Sequence, residues 1–153
     1  MISRSRLPFI LVMALIVAGC GGVVPLHEVD GTRVFDRELS KEQVKEAILE
    51  GAEKAGWRAK DLGNDKILAT YIVRVHTVHV NILYTDSYYS INYNSSIGMK
   101  MFCTRNDKEK ARNLKVSGRA TCPGGRSPLY IHGSYKLWVD TLNNAIQSEL
   151  ATM

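Results

Sequence analysis

Lys66-Ile67-Leu68-Ala69-Thr70-Tyr71-Ile72-Val73-Arg74-Val75-His76-Thr77-Val78-His79-Val80-Asn81-Ile82-Leu83-Tyr84 is the stretch that decides the fold. Ile67, Ala69, Tyr71, Val73 and Val75 recur every second residue, as the inward side chains of a pleated strand do. The phase then slips, and Val78, Val80, Ile82 and Tyr84 carry the alternation onward, so a turn is expected near 75–77. Tyr89, Ile91 and Tyr93 form a third set behind Asp86-Ser87, which places a second hairpin near 85–88. Upstream, Trp57-Arg58-Ala59-Lys60 reads as a short first strand stopped by Gly63-Asn64-Asp65. β-branched and aromatic residues fill these positions, so the expectation is an antiparallel meander of three to four strands. The opposite face would present Leu68, Thr70, Ile72, Arg74, His79, Asn81, Leu83, Ser90, Asn92 and Asn94. A solvated sheet face normally carries more charge. This one is either covered by another segment or is a contact surface.

Helical periods flank the meander. Ser40-Lys41-Glu42-Gln43 has the pattern of a capping box, in which Ser40 and Gln43 satisfy each other's backbone donors. Behind it Val44, Ala47, Ile48, Gly51, Ala52 and Ala55 make an apolar stripe, and Gly56 suits the position just past the end, giving a helix over 41–55. Near the C-terminus Tyr135, Trp138, Val139, Leu142, Ala145, Ile146 and Leu150 share a stripe, with Lys136, Asp140, Asn143, Gln147 and Glu149 opposite. Ser127-Pro128 is the earliest start for that helix. The fold class expected is α+β in two layers, ordered helix, strands, helix, with both helices on one sheet face. Trp138 is expected to be fully buried at the stripe's centre, and His132 to lie near the surface.

The N-terminal stretch has a different logic. Arg4 and Arg6 precede an apolar run, Leu7 to Ala18, interrupted by Pro8. Roughly a dozen apolar residues fall short of the ~20 that span a bilayer, and the pattern is that of an export signal. Its ending, Val17-Ala18-Gly19-Cys20, resembles the lipobox of bacterial lipoproteins. The resemblance implies that residues 1–19 are a signal peptide removed by cleavage, and that Cys20 carries thioether-linked and amide-linked acyl chains. Two or more chains give stable anchoring. In enterobacterial members of that family, an Asp after the lipidated Cys retains the protein in the inner membrane. Gly21 stands there, which favours the outer membrane and its periplasmic face, with the inner membrane as the alternative. Residues 20–39 are expected to be the lipidated Cys and a tether, and residues 40–153 a single domain.

Apolar content of 45% and charged content of 23% are those of a globular chain rather than a disordered one. The formal charge is +5, and loss of the two leader arginines leaves about +3. The surplus is concentrated in Lys100, Arg105, Lys108, Lys110, Arg112, Lys115, Arg119 and Arg126, against Asp107 and Glu109, within and beside a basic insertion at 103–129. That cluster is either a solvated loop or a contact for anionic lipid headgroups or an acidic protein, since basic residues are drawn to anionic surfaces. With Cys20 taken by lipid, Cys103 and Cys122 form an even pair in an oxidising compartment, and a disulfide is expected.

Catalytic constellations are weak. His76 and His79, three apart on a strand, point to opposite faces. His132 lies far along the chain and His27 in the presumed tether, so no metal site is expected. Ser95 and Ser96, with His132 and Asp140 downstream, lack the glycines of a nucleophile elbow. No phosphate loop, dinucleotide fingerprint or haem motif is present, no cofactor is expected, and nothing marks a nucleic-acid partner. Val80-Asn81-Ile82-Leu83-Tyr84, Tyr89-Ser90-Ile91-Asn92-Tyr93, Ser95-Ser96, Ile131-His132, Tyr135, Trp138-Val139 and Leu142 resemble small proteobacterial outer-membrane lipoproteins whose function is not established. These positions are core-type, so the resemblance implies a fold and no chemistry. The expected role is a non-enzymatic binding or accessory module of the cell envelope. A hydrolase-like periplasmic enzyme with a His-centred site and a structural adaptor of an outer-membrane assembly complex are the alternatives.

Overall fold

The computed structural model describes residues 22–34, 38–103 and 130–153. The described residues are α+β, with two helices and two antiparallel sheets. Two strands come first, β1 (Val23–Pro25) and β2 (Val29–Arg33), followed by α1 (Lys41–Lys54). Then come β3 (Arg58–Asp61), β4 (Lys66–Val73), β5 (His76–Tyr84), β6 (Tyr88–Ile97) and β7 (Met101–Phe102). β8 (Tyr130–His132) and α2 (Ser134–Thr152) close the described chain. The larger sheet has the order β2-β6-β5-β4-β3, and the smaller one β1-β8-β7.

The meander forms where alternation places it, through β3, β4, β5 and β6. Ile67 pairs with Ile82, and Ile82 with Ile91, so the apolar sets face the same side. Gly63, Asn64 and Asp65 make the first turn in left-handed backbone, which these residue types tolerate best. The next turn falls on Arg74-Val75, one residue earlier than the slip in phase implied, with Arg74 at φ 54°. A bulge then changes the phase of β6. Val80 pairs with Tyr93 but His79 with Ser95, leaving Asn94 as the extra residue. Past it Ser96, not Ser95, turns inward and is wholly buried inside β6.

α1 starts where expected and ends at Lys54, one residue short of the expected bound, with Ala55 as its C-cap. Gln43 N–H donates to the Ser40 hydroxyl, and Ser40 N–H donates to the Gln43 side chain at 2.9 Å. At the other end Gly56, at φ 79°, and Trp57 donate back to Glu53 and Ala52, the paired bonds of a Schellman cap. The two helices pack against each other at Gly51. A Cβ there would stand 2.7 Å from the Ile146 backbone, so only a residue without one permits this approach. Side chains from both helices join those of one face of the larger sheet in one buried cluster, including Val44, Ile48, Val80, Ile82, Ile91, Leu142 and Ile146.

Several expectations are corrected. The segment read as tether supplies β1 and β2, so the order is not simply helix, strands, helix. β1 is an edge strand of the smaller sheet, where Pro25 is tolerated, and Gly31 at φ 57° accommodates a register shift in β2. The Glu28 carboxylate accepts the Tyr93 N–H at 2.9 Å, just beyond the β2 pairing. The chain turns at Gly98, and Met101 enters the second sheet opposite Ile131. α2 starts only at Ser134, because Tyr130, Ile131 and His132 pair on both sides as β8, while Ser127-Pro128 lies outside the described residues. Trp138 is half-buried, packed at the margin of the core; Tyr135, Val139, Leu142 and Ile146 occupy its centre. Glu149, assigned to the wet side, is buried because Lys54 reaches across from α1 to it at 2.5 Å.

Candidate functional site

Two features stand out, an open sheet face and a row of rings along the opposite side. The open face belongs to β4, β5 and β6. Register brings Thr70 against His79, Asn81 against Asn92, and Thr77 against both Ile72 and Ile97. Its centre is polar and internally bonded. His79 Nδ1 meets Thr70 Oγ1 at 2.9 Å, Asn92 donates to Ser90 at 3.0 Å, and Asn94 donates to Asn81 at 3.0 Å. Its two ends are apolar, with Ile72 and Ile97 at one, Leu83 and Tyr88 at the other, each about half exposed. Arg58 and Lys60 of β3 extend the face as exposed cations. Beside Leu83 an open hollow of about 250 Å³ is lined by Gly31, Leu83, Tyr84, Thr85, Tyr88, Tyr89 and Ser90. Its described walls are tyrosine, leucine and glycine surface together with Thr85 and Ser90.

The row of rings runs Trp57, Tyr71, Trp138, His76, His132. Trp57 and Tyr71 lie 5.1 Å apart, and Tyr71 and Trp138 5.2 Å. His76 is 6.3 Å from Trp138 and 6.4 Å from His132. His76 and His79 do point to opposite sheet faces. His76 Nδ1 lies 2.9 Å from the Gly98 carbonyl, which can only accept, so Nδ1 is the nitrogen that carries a proton in its neutral form. His132 is the converse. Its Nδ1 accepts the Ser134 N–H at the start of α2, so its neutral form carries the proton on Nε2. Burial, then the neighbouring His76 and Lys100, push the His132 value below its ordinary 6.5. The two rings together are therefore a poor chelate, because His132 would have to give up its helix-capping bond or its proton. Among the described residues no group of three His, Cys, Asp or Glu could hold a metal ion.

Serine chemistry is not assembled by the described residues named for it. Ser96 is buried against the Tyr93 hydroxyl at 3.0 Å and Met101 Sδ. Ser95 faces His79 in register on the opposite sheet face from His76. Asp140 is engaged by His27 Nε2 at 2.9 Å and by Lys136. His132, Asp140 and the two serines therefore serve separate local structures.

Of the basic cluster, Lys100 is exposed, and its carbonyl accepts the His132 N–H at 3.0 Å. Arg105, Lys108, Lys110, Arg112, Lys115, Arg119 and Arg126 lie outside the described residues, as do Cys20 and Cys122. Cys103 follows β7 and is half-buried. Sequence reasoning missed His27 and Glu28 as struts that bind the first strands to α2 and β6. The Val23-Val24 and Val29 positions were the available signal, too short to show a period. No helix among the described residues is long and apolar enough to cross a membrane. No family model, curated protein or solved structure matches the chain.

Proposed function

We propose that this chain is a lipid-anchored module of the bacterial cell envelope that works by surface contact. Acylated Cys20 holds it to the outer membrane at the periplasmic face, with residues 1–19 removed, and the described strands and helices stand directly on that anchor. The observation that carries the contact reading is the open face of the larger sheet. Its polar side chains are fixed by cross-strand hydrogen bonds, while Leu83 and Tyr88 remain about half exposed at one end of them. Preorganised polar groups flanked by apolar anchors suit recognition of a protein surface. The hollow beside Tyr88 offers a partner side chain a seat.

The finer architecture belongs to the same reading: a two-layer body, with α1 and α2 covering one sheet face and the other left for the partner. So does a Cys103–Cys122 disulfide closing the basic insertion, and so does attraction of that insertion to anionic headgroups. The test is photocrosslinking in intact cells from Leu83 and Tyr88, compared with exposed Glu53 on α1. Partner adducts concentrated at Leu83 and Tyr88 support the reading. Leu83→Glu with Tyr88→Glu should remove them while shifting stability by less than about 0.5 kcal/mol per site. Equal adducts from Glu53 would refute the open face as the contact surface.

A further inference from the structure

We infer that the β4–β5 hairpin tip is a second membrane contact, laid against the lipid surface by the shortness of the anchor. This rests on acylation of Cys20 as proposed above and adds an orientation to it. The reasoning begins with β1. Val23 pairs with His132, and the Gly22 carbonyl accepts the Gly133 N–H at 2.8 Å, so the backbone is fastened from Gly22, two residues after Cys20. Two residues span at most about 7 Å. An acylated Cys20 therefore leaves no freedom for the domain to stand off the bilayer.

The end of the domain beside Gly22 is the hairpin end. His132, one residue before Gly133, has its ring 6.4 Å from that of His76, and His76 directly follows the tip residues Arg74-Val75. Gly98 lies against the same tip, where a Cβ would come within 2.5 Å of the Val75 carbonyl. Val75 is 77% exposed, and Ile72 and Ile97, flanking Thr77 in register, are 54% and 47% exposed. Exposed Arg74 and Lys100 sit among them. Aliphatic side chains able to enter the headgroup boundary, with cations beside them for anionic lipid, are the chemistry of an interfacial contact. Leu83, Tyr88 and the hollow lie at the opposite end of β5, about 20 Å along the strand from His76. They would face away from the bilayer, toward the periplasm.

The experiment uses the full-length protein purified with its lipid and reconstituted into vesicles of phosphatidylethanolamine and phosphatidylglycerol. A photoreactive amino acid is placed in turn at Val75, Ile97 and Asp86, all exposed positions. The expected result is lipid adducts at Val75 and Ile97 at least tenfold above Asp86. A flexible insert of about twelve residues between Gly21 and Gly22 should lower the Val75 yield severalfold. Adducts at Val75 no greater than at Asp86, with Cys20 shown by mass to be acylated, overturn this inference and leave the anchor standing. A yield at Val75 unchanged by the insert overturns it too, since the contact would then owe nothing to the short anchor. An unmodified Cys20 overturns both readings.

Discussion

His132 has its protonation tied to the start of a helix. Its Nδ1 accepts the Ser134 N–H, so adding a proton there breaks a helix-terminal bond and places charge beside His76, Lys100 and the positive end of α2. With the folded value lowered, the stabilisation is complete above the unfolded value near 6.5 and is lost as pH falls through the folded value. Thermal melts from pH 7.5 to 5 should show falling stability. His132→Asn, whose amide oxygen can accept the same N–H without titrating, should flatten that slope. An unchanged slope in the variant would show that His132 is not the group responsible. A second comparison concerns two buried tyrosines. Tyr89 OH donates to Asn143 at 2.6 Å, and burial pushes its value up to about 12. Tyr135 OH is buried without a hydrogen-bond partner among the described residues. Tyr89→Phe should therefore cost about 0.5–1.5 kcal/mol, and Tyr135→Phe should be neutral or stabilising, as read from denaturant midpoints.

Among the elements, the crossing of α1 and α2 is the most sensitive. Alanine is the better helix former by about 1 kcal/mol, yet Gly51→Ala should destabilise by about 1–3 kcal/mol, because its methyl meets Ile146 backbone that can yield only if a helix moves. Urea melts would check the sign. Leu142→Ala, at a wholly buried position, should cost about 2–5 kcal/mol, and more than Trp138→Ala at the core margin. The elements legible in the sequence are those whose signals are local. The capping box, stripe and Gly56 define α1 within a short window, and alternation defines β4 and β5. β1 and β8 were illegible for the opposite reason. Each is three residues long, and their strand character comes from pairing with each other across nearly the whole chain. The Asn94 bulge likewise shifts the inward phase from Ser95 to Ser96 without any break in composition, so the burial of Ser96 follows only from the register.

For the molecule as a whole, the segment read as a tether is part of the folded body. Residues 22–34, which composition marks as a linker, are fastened by two strand pairings, the Glu28 carboxylate and the His27–Asp140 pair. The proposed anchor rests on the sequence alone, on the short contiguous pattern that ends in Val17-Ala18-Gly19-Cys20. The open sheet face was legible only as a face poor in charge. That its polar residues bond one another across strands depends on register, which alternation alone does not fix. The most direct test of the account is mass spectrometry of the N-terminal peptide from protein purified out of membranes. The expected peptide begins at Cys20 and carries a diacylglyceryl thioether and an acylated amino group, and Cys20→Ala abolishes both modifications and the cleavage. A peptide that still begins at Met1, or a Cys20 with an unmodified thiol, would contradict it.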